Sequence, residues 1–201
     1  MKKSKQETIL TRVRIVEAAS SEFRRNGIDR TGLNELMAAA GLTRGGFYRH
    51  FSSKDQLVSE AYGHALQSQL DRIVALTADA KRTKALQAAV DMYLSNAQRD
   101  DPATSCPLAM LGSELPRSSE DTRSKATEGI RKFSEILGTA SGASTANEAI
   151  KAGLPLLATL VGALTMSRVV LDDQLSEEII NEAKKAVSAY QRRKTTLADT
   201  V

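Results

Sequence analysis

Residues 31–54 decide the fold, and they read Thr31-Gly-Leu-Asn-Glu-Leu-Met-Ala-Ala-Ala-Gly-Leu-Thr-Arg-Gly-Gly-Phe-Tyr-Arg-His-Phe-Ser-Ser-Lys54. The first half carries an apolar stripe at helical spacing, made by Leu33, Leu36, Met37 and Ala40. Gly41 follows the stripe at once, where a helix ends most easily on a residue that enters the left-handed region. We therefore predict two short helices joined by a tight turn.

The second of these helices is predicted to have two different faces. Phe47 and Phe51 lie one turn apart and give it an apolar face, and Thr43 is placed to cap its start through the hydroxyl. The other face carries small, polar or cationic residues: Arg44, Gly45, Tyr48, Arg49 and His50. A helix that is apolar behind and cationic in front suits the major groove of DNA. The stretch predicts a helix-turn-helix.

The positive charge of the chain lies at the same end. The formal net charge is +4, and the first 60 residues hold eleven basic and seven acidic side chains. The rest of the chain holds seventeen of each, so the whole excess accompanies the helix-turn-helix. A basic segment on a neutral body is typical of a phosphate-binding module. Local excesses of this size also occur on ordinary solvated surfaces.

The composition favours a soluble protein of a reducing compartment. Hydrophobic residues make up 41% and charged residues 26% of the chain, which are ordinary values. Cys106 is the single cysteine, so no intramolecular disulfide is expected. No apolar stretch follows the basic N-terminus, and the most apolar window, residues 154–166, is shorter than the roughly 20 residues of a membrane span. We predict a cytoplasmic protein.

Helical periodicity dominates the chain, and no segment alternates with period two. We therefore predict an all-α fold of about nine helices. A basic N-terminal arm is placed at residues 1–8 and a helix-turn-helix domain at 9–56. A helical body follows at 57–194, and a frayed tail at 195–201 ends the chain.

Residues 11–62 resemble the tetracycline-repressor (TetR) family of bacterial transcription regulators. The matching positions are Ile15, Ala18-Ala19, Phe23, Asn26-Gly27, Thr31, Leu36, Ala39-Ala40-Gly41, Thr43, Gly45, Phe47-Tyr48, His50-Phe51, Lys54 and Leu57. The resemblance covers about a quarter of the chain. It implies an N-terminal three-helix helix-turn-helix domain and a C-terminal helical domain for ligand binding and dimerisation. The family also supplies the expectation of repression and of a four-helix bundle across the dimer axis.

The sequence itself favours a homodimer through the last two helices. They carry more apolar surface than one kinked helix buries internally, although a core helix in a monomer is the alternative. The predicted interface residues are Leu157, Val161, Leu164, Ile180 and Val187. A two-fold dimer places two recognition helices about one DNA turn apart and predicts a palindromic operator.

Five residues are predicted to bind DNA phosphates. Thr43, Tyr48 and Lys54 match positions that members of the resembling family use for this purpose. A hydroxyl at a helix start, a phenol and a cation all suit an anion. Thr31 and the amide of Leu33 are suited to the same role at the preceding helix start.

The remaining predicted DNA contacts lie on the second helix. Arg44 and Arg49 are the candidates for bidentate contacts to guanine edges. Gly45 and Gly46 cost helix propensity, roughly 1 kcal/mol each, which a close approach of the backbone to DNA explains. His50 matches a family position that contacts the DNA backbone, and packing between helices is its alternative role.

Two hypotheses describe what releases the DNA. The first is a small apolar molecule held between the middle helices, because methionine and aromatic side chains make adaptable pockets. Its candidate wall residues, each of which also suits a plain core, are Tyr62, Leu66, Met92, Cys106, Met110, Phe133 and Met166.

The second hypothesis is redox or electrophile sensing by Cys106. The residue precedes Pro107 at a predicted helix start, where backbone amides and the helix dipole favour a thiolate. The run from Cys106 to Gly112 also looks like a segment of family members whose cysteine senses electrophiles or oxidants. A single cysteine in a helical protein is otherwise a small buried hydrophobe.

Nothing in the sequence indicates an enzyme, a cofactor or a metal site. The chain has two histidines, no histidine–glutamate pair at metal spacing, no glycine-rich phosphate loop and no Ser/His/Asp arrangement. A non-specific architectural DNA-binding protein remains a further alternative. It would show the same steep salt dependence as a repressor but only a small ratio of specific to non-specific affinity.

Overall fold

The structure is a computed structural model that describes residues 5–79 and 82–198. This part of the chain forms nine α-helices and two 3₁₀ helices without a strand, which confirms the predicted all-α fold. The α-helices are α1 (Lys5–Asn26), α2 (Leu33–Ala39), α3 (Lys54–Asp79), α4 (Arg82–Tyr93), α5 (Asn96–Asp100), α6 (Pro107–Leu111), α7 (Glu120–Ala140), α8 (Ala146–Val169) and α9 (Asp173–Ala198). The 3₁₀ helices are η1 (Arg44–Arg49) and η2 (Leu115–Arg117).

The ends of the chain are more helical than the sequence predicted. Residues 5–8 of the predicted arm belong to α1, whose first turn holds Glu7, a favourable charge at a helix N-terminus. Residues 195–198 of the predicted tail belong to α9. Residues 1–4 and 199–201 lie outside the described residues.

The chain divides into two compact units. Unit 1 combines the described residues up to Ser68 with Pro102–Thr127, and unit 2 combines Gln69–Asp101 with the described residues from Glu128 onward. Unit 1 therefore holds the helix-turn-helix together with α6 and η2. The predicted boundary between residues 56 and 57 concerns function, and it stays a prediction.

The core of unit 1 forms around the predicted apolar stripes. Helix α1 buries Ile15, Ala19 and Phe23, and α2 buries Leu36 and Met37. From the next segment, Phe47 and Phe51 are also buried, and their rings stack with centroids 5.6 Å apart. The helix-turn-helix is thus held by apolar packing on one side, which leaves its other side for solvent.

The turn between α2 and η1 has the geometry that the sequence predicted. Gly41 adopts φ +69°, a left-handed conformation that favours glycine. Its amide donates to the Ala38 carbonyl at 2.8 Å, and the Leu42 amide donates to the Met37 carbonyl at 2.8 Å. These bonds satisfy carbonyls that the end of α2 leaves unpaired.

Unit 2 contains a very close crossing of α7 and α8. A Cβ atom built on Gly153 would lie 1.8 Å from the Ser134 carbonyl oxygen. A Cβ on Gly138 would lie 1.9 Å from the Ala149 carbonyl oxygen. The two backbones are therefore in direct contact at both glycines, with no room for a side chain.

Helix α8 is the one helix among residues 5–79 and 82–198 with the length and composition of a membrane span. It has 24 residues, longer than the predicted apolar window, and its best 18-residue stretch has a mean hydropathy of 1.6. Of that stretch, 44% is buried inside the structure. Because the core helices of soluble proteins pass the same criterion, α8 is weak evidence for a membrane location.

Candidate functional site

The outer face of η1 is the exposed face of the helix-turn-helix. The segment is a 3₁₀ helix of six residues and not the predicted α-helix, consistent with two adjacent glycines at its start. Thr43 occupies the position before it with extended backbone angles, but its hydroxyl makes no capping hydrogen bond. The predicted cap is therefore absent, and the Thr43 side chain is exposed.

The cationic and aromatic residues of η1 lie on the solvent side. Arg44, Gly45 and Arg49 are exposed, and Tyr48 has 67% of its surface accessible. The Tyr48 ring meets the edge of the buried Phe47 ring, with centroids 5.1 Å apart. The Tyr48 ring therefore packs against Phe47, while its hydroxyl group is available to bind another molecule.

Packing does not require glycine at the start of η1. A Cβ on Gly45 would have no atom within 4 Å, and a Cβ on Gly46 would make an ordinary 3.6 Å contact with Met37 Cε. Since a Cβ atom would fit at both positions, packing within the described structure does not account for the two helix-weakening glycines. A backbone that must approach another molecule closely is one such reason.

The end of η1 is fixed by Arg12 of α1. The Arg12 guanidinium donates to the His50 carbonyl, forms an ion pair with Glu60 and lies over the Phe51 ring, 4.2 Å from its centroid. The His50 side chain is half-buried. Sequence reasoning missed Arg12, because its partners lie 38 or more residues away and no local pattern identifies them.

Two residues predicted to bind phosphate have partners inside unit 1. Thr31 is fully buried, and its hydroxyl donates to the Gly27 carbonyl at 2.5 Å. Lys54 Nζ donates to the Ile28 carbonyl at 2.7 Å. Leu33 is half-buried at the first position of α2, where the Glu35 carboxylate accepts a bond from the Gly32 amide at 3.0 Å.

The predicted effector residues are divided between the two units, and their role as cavity walls stays a prediction. Unit 1 contains the buried Tyr62, Leu66 and Cys106 and the half-buried Met110; unit 2 contains the half-buried Met92, the buried Phe133 and the exposed Met166. Phe133 packs against Tyr93, with ring centroids 5.6 Å apart, as a core residue does.

A cavity of about 500 Å³ opens in unit 2. Its lining is mostly apolar, with one carboxylate and two threonines, and consists of Val74, Thr77, Ala78, Ala85, Glu135, Ile136, Thr139 and Ala140. None of these residues was predicted, because small alanine and threonine side chains give no sequence signal for a binding site. The volume suits a small organic molecule.

Cys106 and Tyr62 are both buried in unit 1. Cys106 occupies the position before α6 and is fully buried, as expected of a small hydrophobe. The Tyr62 hydroxyl is also buried and has no hydrogen-bond partner among the described residues. Burial raises the pKa of the Tyr62 phenol well above its usual value, and the nearby Cys106 raises that pKa further.

Four of the five predicted interface residues lie in the core of unit 2. Leu157, Leu164, Ile180 and Val187 are buried where α8 and α9 pack together, and Val161 is half-buried. These side chains are buried within the chain itself, and their assignment to a dimer interface stays a prediction. The exposed apolar face of the two helices carries other residues: Leu154, Met166, Val169, Leu175 and Tyr190.

The described residues contain no group of three or more His, Cys, Asp or Glu side chains that would hold a metal ion. What they do contain is a helix-turn-helix with a buried apolar side and an exposed side of arginines, tyrosine and open glycine. This geometry is typical of a DNA-binding helix-turn-helix.

Comparisons with known proteins agree with that class. Residues 15–61 match the profile described as bacterial regulatory proteins, tetR family. A probable acrEF/envCD operon repressor of Escherichia coli strain K12 is 39% identical over 61 residues, which cover 30% of this chain and 28% of the relative. The similarity to the TetR family is therefore shown for the helix-turn-helix region alone.

Solved structures extend the likeness in fold to most of the chain. A TetR transcriptional regulator from Chloroflexus aurantiacus superimposes with a TM-score of 0.75 at 25% identity, covering 91% of this chain and 96% of the other. AibR in complex with isovaleryl coenzyme A and operator DNA superimposes with a TM-score of 0.63 at 17% identity, covering 87% and 96%. At 17% identity, this second likeness concerns the fold alone.

Proposed function

We propose that the protein is a transcriptional regulator that binds operator DNA through the exposed face of η1. The observation that carries the proposal is the solvent-facing set of Arg44, Tyr48 and Arg49 on a TetR-type helix-turn-helix. The two arginines present guanidinium groups to base edges, and the Tyr48 phenol suits a phosphate oxygen. The exposed Thr43 hydroxyl suits a phosphate in the same way.

The open space at Gly45 supports a close approach of η1 to DNA. Protein packing leaves room for a side chain there, yet the chain places glycine at this position and the next one. A side chain at Gly45 would project from the face that carries the arginines. Gly46 and the half-buried His50 complete this surface beside the DNA backbone.

We propose further that the regulator is a cytoplasmic homodimer on a palindromic operator. The exposed apolar face of α8 and α9, led by Met166 and Val169 with 57% and 74% of their surfaces accessible, supports self-association. Two-fold symmetry is the commonest closed arrangement, and it would pair two copies of the same face. A pair of recognition segments one DNA turn apart requires a palindrome.

The effector in this proposal is a small, largely apolar molecule that enters the cavity of unit 2. The volume of about 500 Å³ and the alanine, valine and isoleucine lining support that chemistry. Release from DNA requires the effector to bind more tightly to the conformation that fits the operator poorly. AibR was solved in complex with both isovaleryl coenzyme A and operator DNA. This supports the proposal that a protein of this fold binds a small molecule as well as DNA.

The decisive experiment selects bound DNA from a random pool and measures its affinity at several salt concentrations. We expect a palindromic consensus and an affinity at least about a thousandfold above that for unrelated DNA. A steep salt dependence without a consensus would instead favour an architectural DNA-binding protein. Absence of any binding would overturn the proposal.

Arg44→Ala and Lys54→Ala should weaken operator binding in different ways. Loss of the Arg44 guanidinium should make the free energy of operator binding less favourable by about 1–3 kcal/mol and relax the base preference at one base pair. Lys54 holds the Ile28 carbonyl in the described structure, so Lys54→Ala should weaken all sequences alike. If Lys54 also contacts a phosphate on DNA, the logarithmic salt slope should fall by about 1.

Titrations of both variants against the selected operator and single-base variants would check this prediction. Thr8→Ala is a suitable control, since Thr8 is exposed on the first turns of α1. Uniform weakening by Arg44→Ala, with the base preference intact, would remove Arg44 from the base-reading role.

A second candidate function is electrophile sensing by Cys106. The observations that favour it are the position of Cys106 directly before α6 and the buried Tyr62 hydroxyl, which has no hydrogen-bond partner among the described residues and whose pKa Cys106 raises. The Cys106 thiolate would add to the β-carbon of an electron-poor alkene, forming a C–S bond, while the α-carbon takes a proton from water. Because Cys106 is fully buried, the reaction first requires local opening of unit 1.

In this second reading, a maleimide should release the wild-type protein from its operator and Cys106→Ser should abolish the release. We expect mass spectrometry to show one adduct per chain in step with the loss of DNA binding. Equal release of wild type and Cys106→Ser, or complete labelling without release, would contradict the sensing role.

A further inference from the structure

The turn between α1 and α2 is held by side chains from three separate parts of unit 1. Gly27 ends α1 with φ +84°, and the chain passes through Ile28 and Asp29 before α2 begins at Leu33. The orientation of α2 relative to α1 depends on this turn, because the intervening residues are not helical. Any group that fixes the turn therefore fixes the start of the helix-turn-helix.

Glu114 binds the amide side of the turn. Its Oε2 atom accepts from the Ile28 amide at 2.8 Å and from the Asp29 amide at 3.1 Å. The other oxygen, Oε1, would lie 2.9 Å from a Cβ atom on Gly27. Glycine at position 27 favours the positive φ, and any larger residue would have to displace the carboxylate.

Lys54 and Thr31 bind the carbonyl side of the same turn. Lys54 Nζ donates to the Ile28 carbonyl at 2.7 Å, so both ends of residue 28 are held by charged side chains. The Thr31 hydroxyl donates to the Gly27 carbonyl at 2.5 Å. We call Glu114, Lys54 and Thr31 the turn clamp.

Glu114 differs from the other two members in its position along the chain. Lys54 and Thr31 flank the helix-turn-helix, whereas Glu114 lies 86 residues after Ile28, between α6 and η2. A second bond joins the same two stretches: the buried Arg24 of α1 donates through Nη1 to the Ser105 carbonyl at 3.0 Å, just before α6. The α6–η2 segment is therefore attached to the end of α1 and to the turn that follows.

We propose that Glu114 is a positioning residue for DNA binding, which holds the α1–α2 turn so that η1 meets the operator in register. The inference rests on the proposed DNA-binding function and adds a residue that does not touch DNA. Its physical reason is the geometry of one acceptor atom that binds two consecutive amides. Displacement of the α6–η2 segment would release these amides and loosen the turn.

The test compares Glu114→Ala, Glu114→Gln and Glu114→Asp in operator affinity. Glu114→Ala should weaken binding about tenfold, although the loss of a negative charge by itself favours association with DNA. Glu114→Gln keeps a carbonyl acceptor at the same reach and should stay within about threefold of wild type. Glu114→Asp keeps the charge but is one methylene shorter, so it should resemble Glu114→Ala.

Glu120→Ala is the matched control. Glu120 is an exposed acid of unit 1 at the start of α7, so this substitution removes the same charge without touching the turn. We expect its operator affinity to equal or slightly exceed that of wild type. If Glu114→Ala and Glu120→Ala bind the operator equally well, the positioning role is wrong.

Hydrogen exchange keeps the proposal testable even if the alanine variant is unstable. In Glu114→Asp and Glu114→Ala, the Ile28 and Asp29 amides should exchange about tenfold faster, while amides of α8 and α9 keep the wild-type rate. A general rise in exchange across both units would show a purely structural role and overturn the proposal. If the wild-type protein itself selects no operator, the proposed function fails. The exchange rates of the Ile28 and Asp29 amides would still show whether Glu114 holds the turn.

Discussion

Gly153→Ala should lower the free energy of unfolding by about 3 kcal/mol, which corresponds to a melting temperature lower by roughly 6–12 °C. The new methyl would lie 1.8 Å from the Ser134 carbonyl oxygen, a backbone atom that cannot rotate away. Relief requires α7 and α8 to separate, which also breaks the packing around Gly138 and Ala149. Gly138→Ala should behave in the same way, since its methyl would lie 1.9 Å from the Ala149 carbonyl oxygen.

Gly162→Ala is the control for Gly153→Ala. Both glycines lie inside α8, but a Cβ on Gly162 has no atom of the chain within 4 Å. Because Gly162 lies one turn before Met166 on the proposed dimer face, the two variants are compared in the Met166→Asp background. In that background, alanine at position 162 should raise the free energy of unfolding by up to about 1 kcal/mol through helix propensity. Thermal and urea unfolding, with the molecular mass determined in the same samples, would measure both effects. Equal stability of the two variants would show that the close crossing is not essential.

Met166→Asp should convert the proposed dimer into monomers and weaken operator binding by about a hundredfold or more. Met166 lies on the exposed apolar face of α8, with 57% of its surface accessible. In a two-fold dimer through this face, both protomers would bury the new carboxylate among apolar groups, so every interface would contain two of them. A monomer binds only one half-site and loses the gain from linked binding.

Asn181→Asp is the charge control for Met166→Asp. Asn181 is exposed on α9, on the side of that helix away from Leu175 and Tyr190. We expect this variant to keep the mass and the operator affinity of wild type. Sedimentation and DNA titration at matched concentrations would compare the two. A dimeric Met166→Asp protein would move the interface away from this face of α8.

The helix-turn-helix was the part of the chain that the sequence predicted best. Its elements are local: Gly41 directly follows the stripe of Leu36, Met37 and Ala40, and hydrogen bonds within a few residues complete the turn. The buried and exposed faces of the second helix were also assigned correctly, with Phe47 inside and Arg44 outside. Short-range periodicity contains this information, and no distant residue is needed to read it.

Contacts between distant residues account for most of the differences. Thr31 and Lys54 match family positions for phosphate contacts, but in this structure they hold a turn that also binds Glu114. Helical period shows that α8 has an apolar stripe, yet it does not tell which of two stripes meets α9. For that reason Leu157 and Leu164 were assigned to a partner chain and are found in the core of unit 2.

Unit 1 is built from two stretches that are separated in the chain, and this has a consequence for the engineering of hybrid regulators. A chimera that joins residues up to Ser68 to the sensor domain of another protein would leave Pro102–Thr127 behind. The transplanted helix-turn-helix would then lack the Glu114 carboxylate and the Ser105 carbonyl that bind α1 and the turn after it. A working graft must carry both stretches or recreate these two partners in the recipient.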